Sequence, residues 1–108
     1  MDKYTIMHCV ASYPAPLSSL GLNVIAKMHQ RYSKYGLEIG YSDHSLHPYI
    51  APSAAVALGA TSIEKHFTLN RKLPGPDHPF AIDVSELKMM VAVCRDTFEA
   101  ARENYEKG

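Results

Sequence analysis

The sequence lacks a surplus of charge of either sign. Its 108 residues include eleven basic and eleven acidic side chains, so the formal net charge at pH 7 is zero. A chain without a net field has no general electrostatic attraction to nucleic acid or to an anionic membrane. Small neutral or anionic ligands are compatible with this balance, and we expect neither nucleic acid nor a membrane as a partner.

Cysteines are few and long apolar runs are absent. Cys9 and Cys94 lie far apart, at a spacing that fits neither a zinc knuckle nor a redox motif. We interpret both as buried small hydrophobic residues of a reduced chain. The longest apolar run, around residues 54–60, is much shorter than the roughly 20 residues of a membrane span. The first residues do not resemble a signal peptide, so we expect a cytoplasmic protein.

Three apolar segments, each followed by a segment with helical spacing, organise the chain. Strands are predicted over residues 4–10, 37–43 and 62–69. This β-α-β-α-β-α order implies an α/β fold with parallel strands joined by right-handed crossovers. A flavodoxin-like open sheet and a segment of a barrel both fit the order.

The ends of the predicted helices carry recognisable local signals. Gly36 and Gly59 can adopt the left-handed conformation that ends a helix. Asp83 followed by Glu86 predicts a capping box at the start of the last helix.

Strand parity separates a polar face from an apolar face. Alternate residues of a strand point to opposite sides. We place the strand histidines on a polar face, and expect helices on the face that carries Leu37, Ile39, Tyr41, Ile63, Phe67 and Leu69. A polar face suits the interior of a barrel whose upper end is a wet pocket, which favours the barrel. Lys65 falls on the apolar face, so we expect it to snorkel or to break the alternation.

His8 and His44 lie at or just past the carboxyl ends of their strands, where barrel enzymes place their chemistry. Two neutral imidazoles with open remaining positions suit a divalent transition metal, although two ligands alone hold it weakly. The alternative for each is a hydrogen-bonded structural histidine.

Other polar residues near the strand ends have two interpretations each. Glu64 and His66 are candidates for acid, base or substrate contact, or they belong to an interior polar network. Ser42 and Asp43 either orient the following histidine or cap the next helix. Asp77, after a rigid Pro-Gly-Pro turn, either lies over the pocket mouth or is part of an ordinary turn. Loop residue Tyr13 is interpreted as loop packing.

Five motifs in series resemble the sialic acid synthase family over nearly the whole chain. They are His8-Cys9 with Tyr13-Pro-Ala-Pro16, Gly40-Tyr-Ser-Asp-His-Ser45, Ala55-Val-Ala-Leu-Gly59, Ile63-Glu-Lys-His-Phe-Thr-Leu69 and Pro74-Gly-Pro-Asp-His78. The resemblance implies that residues 1–108 are the last three β/α units of a TIM (β/α)8 barrel, the C-terminal part of a synthase barrel domain. It also implies condensation of phosphoenolpyruvate with an N-acylmannosamine-type sugar, giving a nonulosonic acid and phosphate.

The resemblance assigns roles to particular residues. It implies a Mn²⁺ or Mg²⁺ ion bound by His8 and His44, catalytic roles for Glu64 and His66, and substrate contacts from Ser42, Lys65 and Asp77. The full-length family member is implied to be a homodimer. Asn70 departs from the Asp that the family usually has after the Thr-Leu pair.

The same resemblance implies that this chain is incomplete. The family's earlier barrel units, which hold phosphoenolpyruvate, and its C-terminal antifreeze-like domain are not expected within these residues. We therefore expect the isolated chain to be inactive. The alternatives are a non-catalytic module that completes another subunit's barrel or binds a sugar, and a different barrel enzyme with paired histidines, such as a metal-dependent aldolase or hydrolase.

Overall fold

The computed structural model describes residues 4–102, which form one parallel sheet with helices. The strands, side by side in chain order, are β1 (Thr5–Cys9), β2 (Glu38–Asp43) and β3 (Ser62–Lys65). The helices are α1 (Asn23–Tyr32), α2 (Ile50–Ala57) and α3 (Val84–Ala101). The predicted α/β alternation and the parallel pairing are confirmed.

The local signals at the helix ends are confirmed. Gly36 follows a short 3₁₀ turn after α1 with φ of 77°, and Gly59 follows α2 with φ of 118°. At the start of α3 the Asp83 carboxylate accepts from the Glu86 backbone N–H at 2.9 Å. The Glu86 carboxylate accepts in turn from the Asp83 N–H at 3.0 Å, which completes the predicted capping box.

The third strand is shorter than predicted. It ends at Lys65, and Phe67 then pairs with Ile82 in an isolated parallel bridge. This bridge draws the chain away from β2, so Phe67 and Leu69 are exposed and the prediction that they face the helices is wrong. The cause is a pairing with a segment near the start of α3, which strand parity does not reveal.

The core lies between one face of the sheet and the helices α1 and α2. Ile39 and Tyr41 of β2 pack there against Ile25 of α1 and Ala51 and Ala55 of α2, and all five are fully buried. Each large apolar side chain buried in this way contributes roughly 1.5–3 kcal/mol. Helix α3 packs on α2.

The opposite face of the sheet carries no helix within residues 4–102 and exposes Met7, Cys9 and Glu64. The expectation that both cysteines are buried is therefore wrong for Cys9, while Cys94 on α3 is half-buried. We call this side of the sheet the open face. No helix in the described part of the chain is long and apolar enough to cross a membrane.

Candidate functional site

Aromatic and polar side chains converge beyond the carboxyl ends of the strands, on the open face. Tyr13 lies at the centre, with its ring centroid 5.1 Å from that of His44, 4.8 Å from that of His66 and 5.5 Å from that of Phe80. The His44 and His66 centroids are 5.6 Å apart. Asp77 borders His66. These five residues are called the strand-end cluster below.

His44 directly follows β2 and has a defined hydrogen bond. Its Nδ1 lies 3.0 Å from the carbonyl oxygen of Val10. Because a carbonyl only accepts, Nδ1 carries the proton, and in the neutral ring Nε2 keeps the lone pair. The same Nδ1 is 3.9 Å from Cys9 Sγ, so the end of β1 and the end of β2 meet at this ring.

His66 and Asp77 form the outer edge of the strand-end cluster. Nδ1 of His66 lies 3.6 Å from Oδ2 of Asp77, and both side chains are more than one-third exposed. The turn after residue 73 thus brings Asp77 over the open face, in line with the interpretation that places it at a pocket mouth. Its neighbour His78 has a different contact, since its Nδ1 bonds Thr68 Oγ1 at 2.7 Å within the loop.

Ser42 of β2 and Glu64 of β3 form a polar pair on the open face, next to His66 of the strand-end cluster. The Ser42 hydroxyl donates to Glu64 Oε1 at 2.7 Å. A shallow cavity of about 310 Å³ is lined by Ser42, Glu64, Lys65 and His66. The predicted acid and base candidates, Glu64 and His66, therefore line one cavity.

Tyr13 is a residue of this site whose position the sequence did not reveal. Partial burial, and then the carboxylates of Asp77 and Asp43, raise the pKa of the Tyr13 phenol, so it remains a proton donor near neutral pH. Loop residues follow no periodicity, so no pattern marked it. The only signal was that Tyr13 is an aromatic residue in the loop after β1, and that the neighbouring strand β2 is followed by His44.

His8 lies on the other side of the sheet, and the prediction that it shares a face with His44 is wrong. Its Nε2 contacts the carbonyl oxygen of Leu20 at 2.8 Å, and its ring stacks on buried Tyr41 with centroids 5.9 Å apart. The register explains the error, because His8 is opposite Tyr41 and Cys9 is opposite Ser42.

Lys65 differs from its expected position, and Asp43 does not fill one of its two predicted roles, the cap of the next helix. Lys65 borders the cavity, but its ammonium neither snorkels nor points toward the open face, because it is buried against the Asp43 carboxylate at 2.7 Å. The position therefore does not support the predicted substrate contact of Lys65. Asp43 does not cap α2, which begins at Ile50. The backbone N–H groups of Tyr49 and Ile50 at the start of this helix donate to Nδ1 of His47 instead.

A divalent ion does not fit His8 and His44 as a shared pair in this arrangement. A common ion would require the two rings to reach the same side of the sheet. Across residues 4–102, no three His, Cys, Asp or Glu side chains are grouped in a way that could hold a metal. The metal roles of His8 and His44 stay predictions, and no chemical step below depends on an ion.

Comparison with known sequences connects this site to one family. A model of the NeuB family matches residues 1–106. The spore coat polysaccharide biosynthesis protein SpsE of Bacillus subtilis is 51% identical over 96 residues, which cover 89% of this chain and 25% of that protein. An N,N'-diacetyllegionaminic acid synthase of Campylobacter jejuni is 39% identical over 106 residues, covering 98% of this chain and 30% of the synthase.

Solved structures give the same result. The crystal structure of B. subtilis SpsE superposes with a TM-score of 0.82 at 46% identity, covering 95% of this chain and 29% of that one. An N-acetylneuraminic acid synthetase from Leptospira borgpetersenii, solved with citrate, superposes with a TM-score of 0.81 at 35% identity, covering 96% and 35%. The chain spans about a quarter to a third of the length of these relatives.

Proposed function

Because the chain belongs to the NeuB family, we propose that it forms part of the active site of a synthase that condenses phosphoenolpyruvate with an N-acylmannosamine-type sugar. The product is a nonulosonic acid, and phosphate is released. Relatives named as legionaminic, pseudaminic and sialic acid synthases support the reaction class. They differ in the sugar product they are named for, so the acceptor is proposed only as a class.

The observation that carries the proposal is the convergence of Tyr13, His44, His66 and Asp77 at the carboxyl ends of three parallel strands. These residues come from three different β/α units, so only the fold brings them together. Loops at this end of parallel strands are the usual place for chemistry in barrel enzymes.

The open face supports assignment of the three units to a (β/α)8 barrel. One face of the sheet is covered by α1 and α2, whereas the other exposes polar groups such as Glu64 of β3. In a doubly wound sheet both faces would be covered by helices. We propose that the open face is the inner wall of a barrel, completed by further β/α units, and that activity requires this closure.

The proposed reaction forms a carbon–carbon bond and a carbon–oxygen bond, and it breaks the carbon–oxygen bond to phosphate. Carbon 3 of phosphoenolpyruvate attacks the aldehyde carbon of the open-chain sugar, and the aldehyde oxygen takes up a proton. Water then adds at carbon 2 and loses one proton to a base. The resulting hydroxyl loses its second proton as the carbon–oxygen bond to phosphate breaks, so that carbon 2 becomes a ketone and phosphate leaves. A six-carbon acceptor gives a nine-carbon 2-keto acid.

Glu64 and His66 are the proposed acid and base, because both line the cavity at the strand ends. Nδ1 of His66 lies 3.6 Å from Oδ2 of Asp77, so the carboxylate borders the ring at the edge of this cavity. The Ser42 hydroxyl fixes one oxygen of Glu64 at 2.7 Å and leaves the other for a substrate or a water molecule. Asp77 and Ser42 are the proposed substrate contacts.

The proposal is tested with the complete protein that carries this sequence. Phosphate release is measured with phosphoenolpyruvate and a panel of N-acyl hexosamines, with and without added Mn²⁺ or Mg²⁺. Removal of a general acid or base typically costs 10²–10⁴-fold, so His66→Gln and Glu64→Gln should each lower kcat by about that factor. His29→Gln, on the exposed surface of α1, is the matched control and should retain wild-type turnover.

Three outcomes would count against the proposal. Phosphate release at background with every acceptor would exclude the synthase activity, and sugar binding without turnover would favour a non-catalytic sugar-binding module. Equal kcat values for His66→Gln and His29→Gln would exclude His66 from the chemistry. The homodimer, implied by the family resemblance, and the cytoplasmic location, expected from the sequence, stay predictions.

A further inference from the structure

A buried ion pair joins the ends of β2 and β3 on the helix-covered side of the sheet. The Lys65 ammonium donates to Asp43 Oδ2 at 2.7 Å and to the carbonyl oxygen of Ser45 at 2.6 Å. Their side chains are 3% and 0% exposed, so water does not screen the pair. Lys65 therefore bonds both to Asp43 and to the residue two positions beyond it.

The second oxygen of Asp43 extends the network. Oδ1 accepts from the Tyr41 hydroxyl at 2.9 Å, from the Ser45 N–H at 3.0 Å and from the Ser45 hydroxyl at 2.7 Å. The N–H, the hydroxyl and the carbonyl of Ser45 are thus all bound to Asp43 or Lys65. Among the described residues, no buried side-chain nitrogen or oxygen lacks a partner.

His44 is the single residue between these two anchored positions. Its own carbonyl accepts from the Ala15 N–H at 2.9 Å, and its ring Nδ1 faces Val10 at 3.0 Å. Asp43 and Ser45, the residues on both sides of His44, are therefore held on the helix-covered side of the sheet. The His44 ring reaches the strand-end cluster on the open face. A shift of Ser45 would move this ring relative to Tyr13 and His66.

Stability alone does not account for a buried charge pair at this position. Desolvation of two ions offsets most of their attraction, and an apolar pair of similar volume is often as stable or more stable. What apolar side chains cannot provide is a directed bond to the Ser45 carbonyl. The pair thus constrains local geometry in a way that packing does not.

We propose that Lys65 and Asp43 are positioning residues that hold the His44 ring in its orientation within the strand-end cluster. This inference rests on the proposed function, because it assumes that His44 acts in the strand-end cluster. It replaces the substrate contact predicted for Lys65 with a role behind the sheet.

The decisive variant is Asp43→Asn combined with Lys65→Met in the complete protein. Asn keeps an acceptor for Tyr41 and Ser45, and Met keeps the volume of the lysine, so the variant loses both charges and the lysine bond to Ser45. Misplacement of a catalytic group by about 1 Å can cost about 10²-fold, so kcat should fall by about that factor with a smaller change in KM. The single variant Lys65→Arg, with Asp43 intact, retains the positive charge and donors for both Asp43 and Ser45. It should therefore keep most of the wild-type turnover.

The position of His44 is read independently by NMR of the labelled histidine rings. Its ring signals depend on the aromatic neighbours Tyr13 and His66, so the double variant should shift them and Lys27→Gln on exposed α1 should not. If the double variant does not fold, Ser45→Ala removes one bond of the network and should produce a smaller shift of the same signals.

The proposal is overturned if a folded double variant, or Ser45→Ala in its place, keeps the wild-type His44 signals. Wild-type kcat in the folded double variant would also overturn it. Lack of phosphate release by the wild-type protein would instead refute the proposed function. The NMR signals would still decide whether the ion pair positions His44.

Discussion

Tyr41 is a buried phenol that donates to a buried carboxylate. Burial and then the nearby Asp43 raise its pKa above the ordinary value of 10.0. The folded protein therefore holds this proton more tightly than the unfolded chain does. Its contribution to stability is complete below pH 10 and is lost as the pH rises toward the folded-state pKa.

The free energy of unfolding should accordingly fall as the pH rises above about 10. Urea unfolding of the complete protein measures the slope. Tyr41→Phe should flatten the slope because it removes the titrating group, and it should reduce stability at neutral pH by about 1–3 kcal/mol because Asp43 loses a donor. Tyr35→Phe, at a position 68% exposed, is the control; equal slopes in the two variants would exclude Tyr41 as the cause.

Sequence reasoning at the residue scale identified part of the site. His44, Glu64, His66 and Asp77 were found because they are polar residues near strand ends or in a rigid turn. His8 was assigned to the wrong side because parity orders residues within one strand, whereas register decides which residues of two strands align. Asp43 and Lys65 both fall on the apolar parity, and two opposite charges on one buried face were an available signal of their pairing.

Helix α3 begins at a capping box that was predicted from two residues. Asp83 accepts from the Glu86 N–H at 2.9 Å and also lies 3.7 Å from Arg71. Asp83→Ala should therefore lower the free energy of unfolding by about 1 kcal/mol, as is typical for loss of an N-cap. Asp96→Ala, an exposed site inside the same helix, should change it by less, and chemical denaturation compares the two. Equal losses would contradict the capping role.

At the scale of the element, local chemistry was predictable and non-local pairing was not. Gly36 and Asp83 mark helix ends through their own conformational preferences, so the sequence was sufficient. The end of β3 depends on Ile82, whose N–H donates to the His66 carbonyl at 3.0 Å. That contact depends on the path of the loop after residue 70, which no periodicity encodes.

At the scale of the whole molecule, Cys9 is exposed beside the strand-end cluster. Its sulfur lies 3.9 Å from His44 Nδ1. In the complete protein, phosphoenolpyruvate together with an accepted N-acyl sugar should slow the reaction of Cys9 with a maleimide. Cys94 on α3 should react at an unchanged rate, because it lies in the helical layer. Peptide mapping by mass spectrometry separates the two, and equal rates for Cys9 with and without ligands would place the substrates elsewhere.

The proposed barrel rests on the pattern of the whole sheet more than on any single residue. One covered face and one polar face were predicted from Ile39, Tyr41 and Ile63 against Ser42 and Glu64, and the three-stranded sheet confirms this division. Closure into a barrel depends on further β/α units, whose residues are not among these 108, so it remains part of the proposal.

The order of the strands has a consequence for how the polypeptide is made. Chain order and spatial order coincide, so β2 pairs with the strand just before it and β3 pairs with β2. Each unit emerging from the ribosome finds its docking surface already synthesised, and β3 completes the buried Asp43–Lys65 contact on arrival. The sheet can therefore grow by one strand at a time during synthesis. Each new strand pairs with the strand made just before it and becomes the edge with which the next strand pairs.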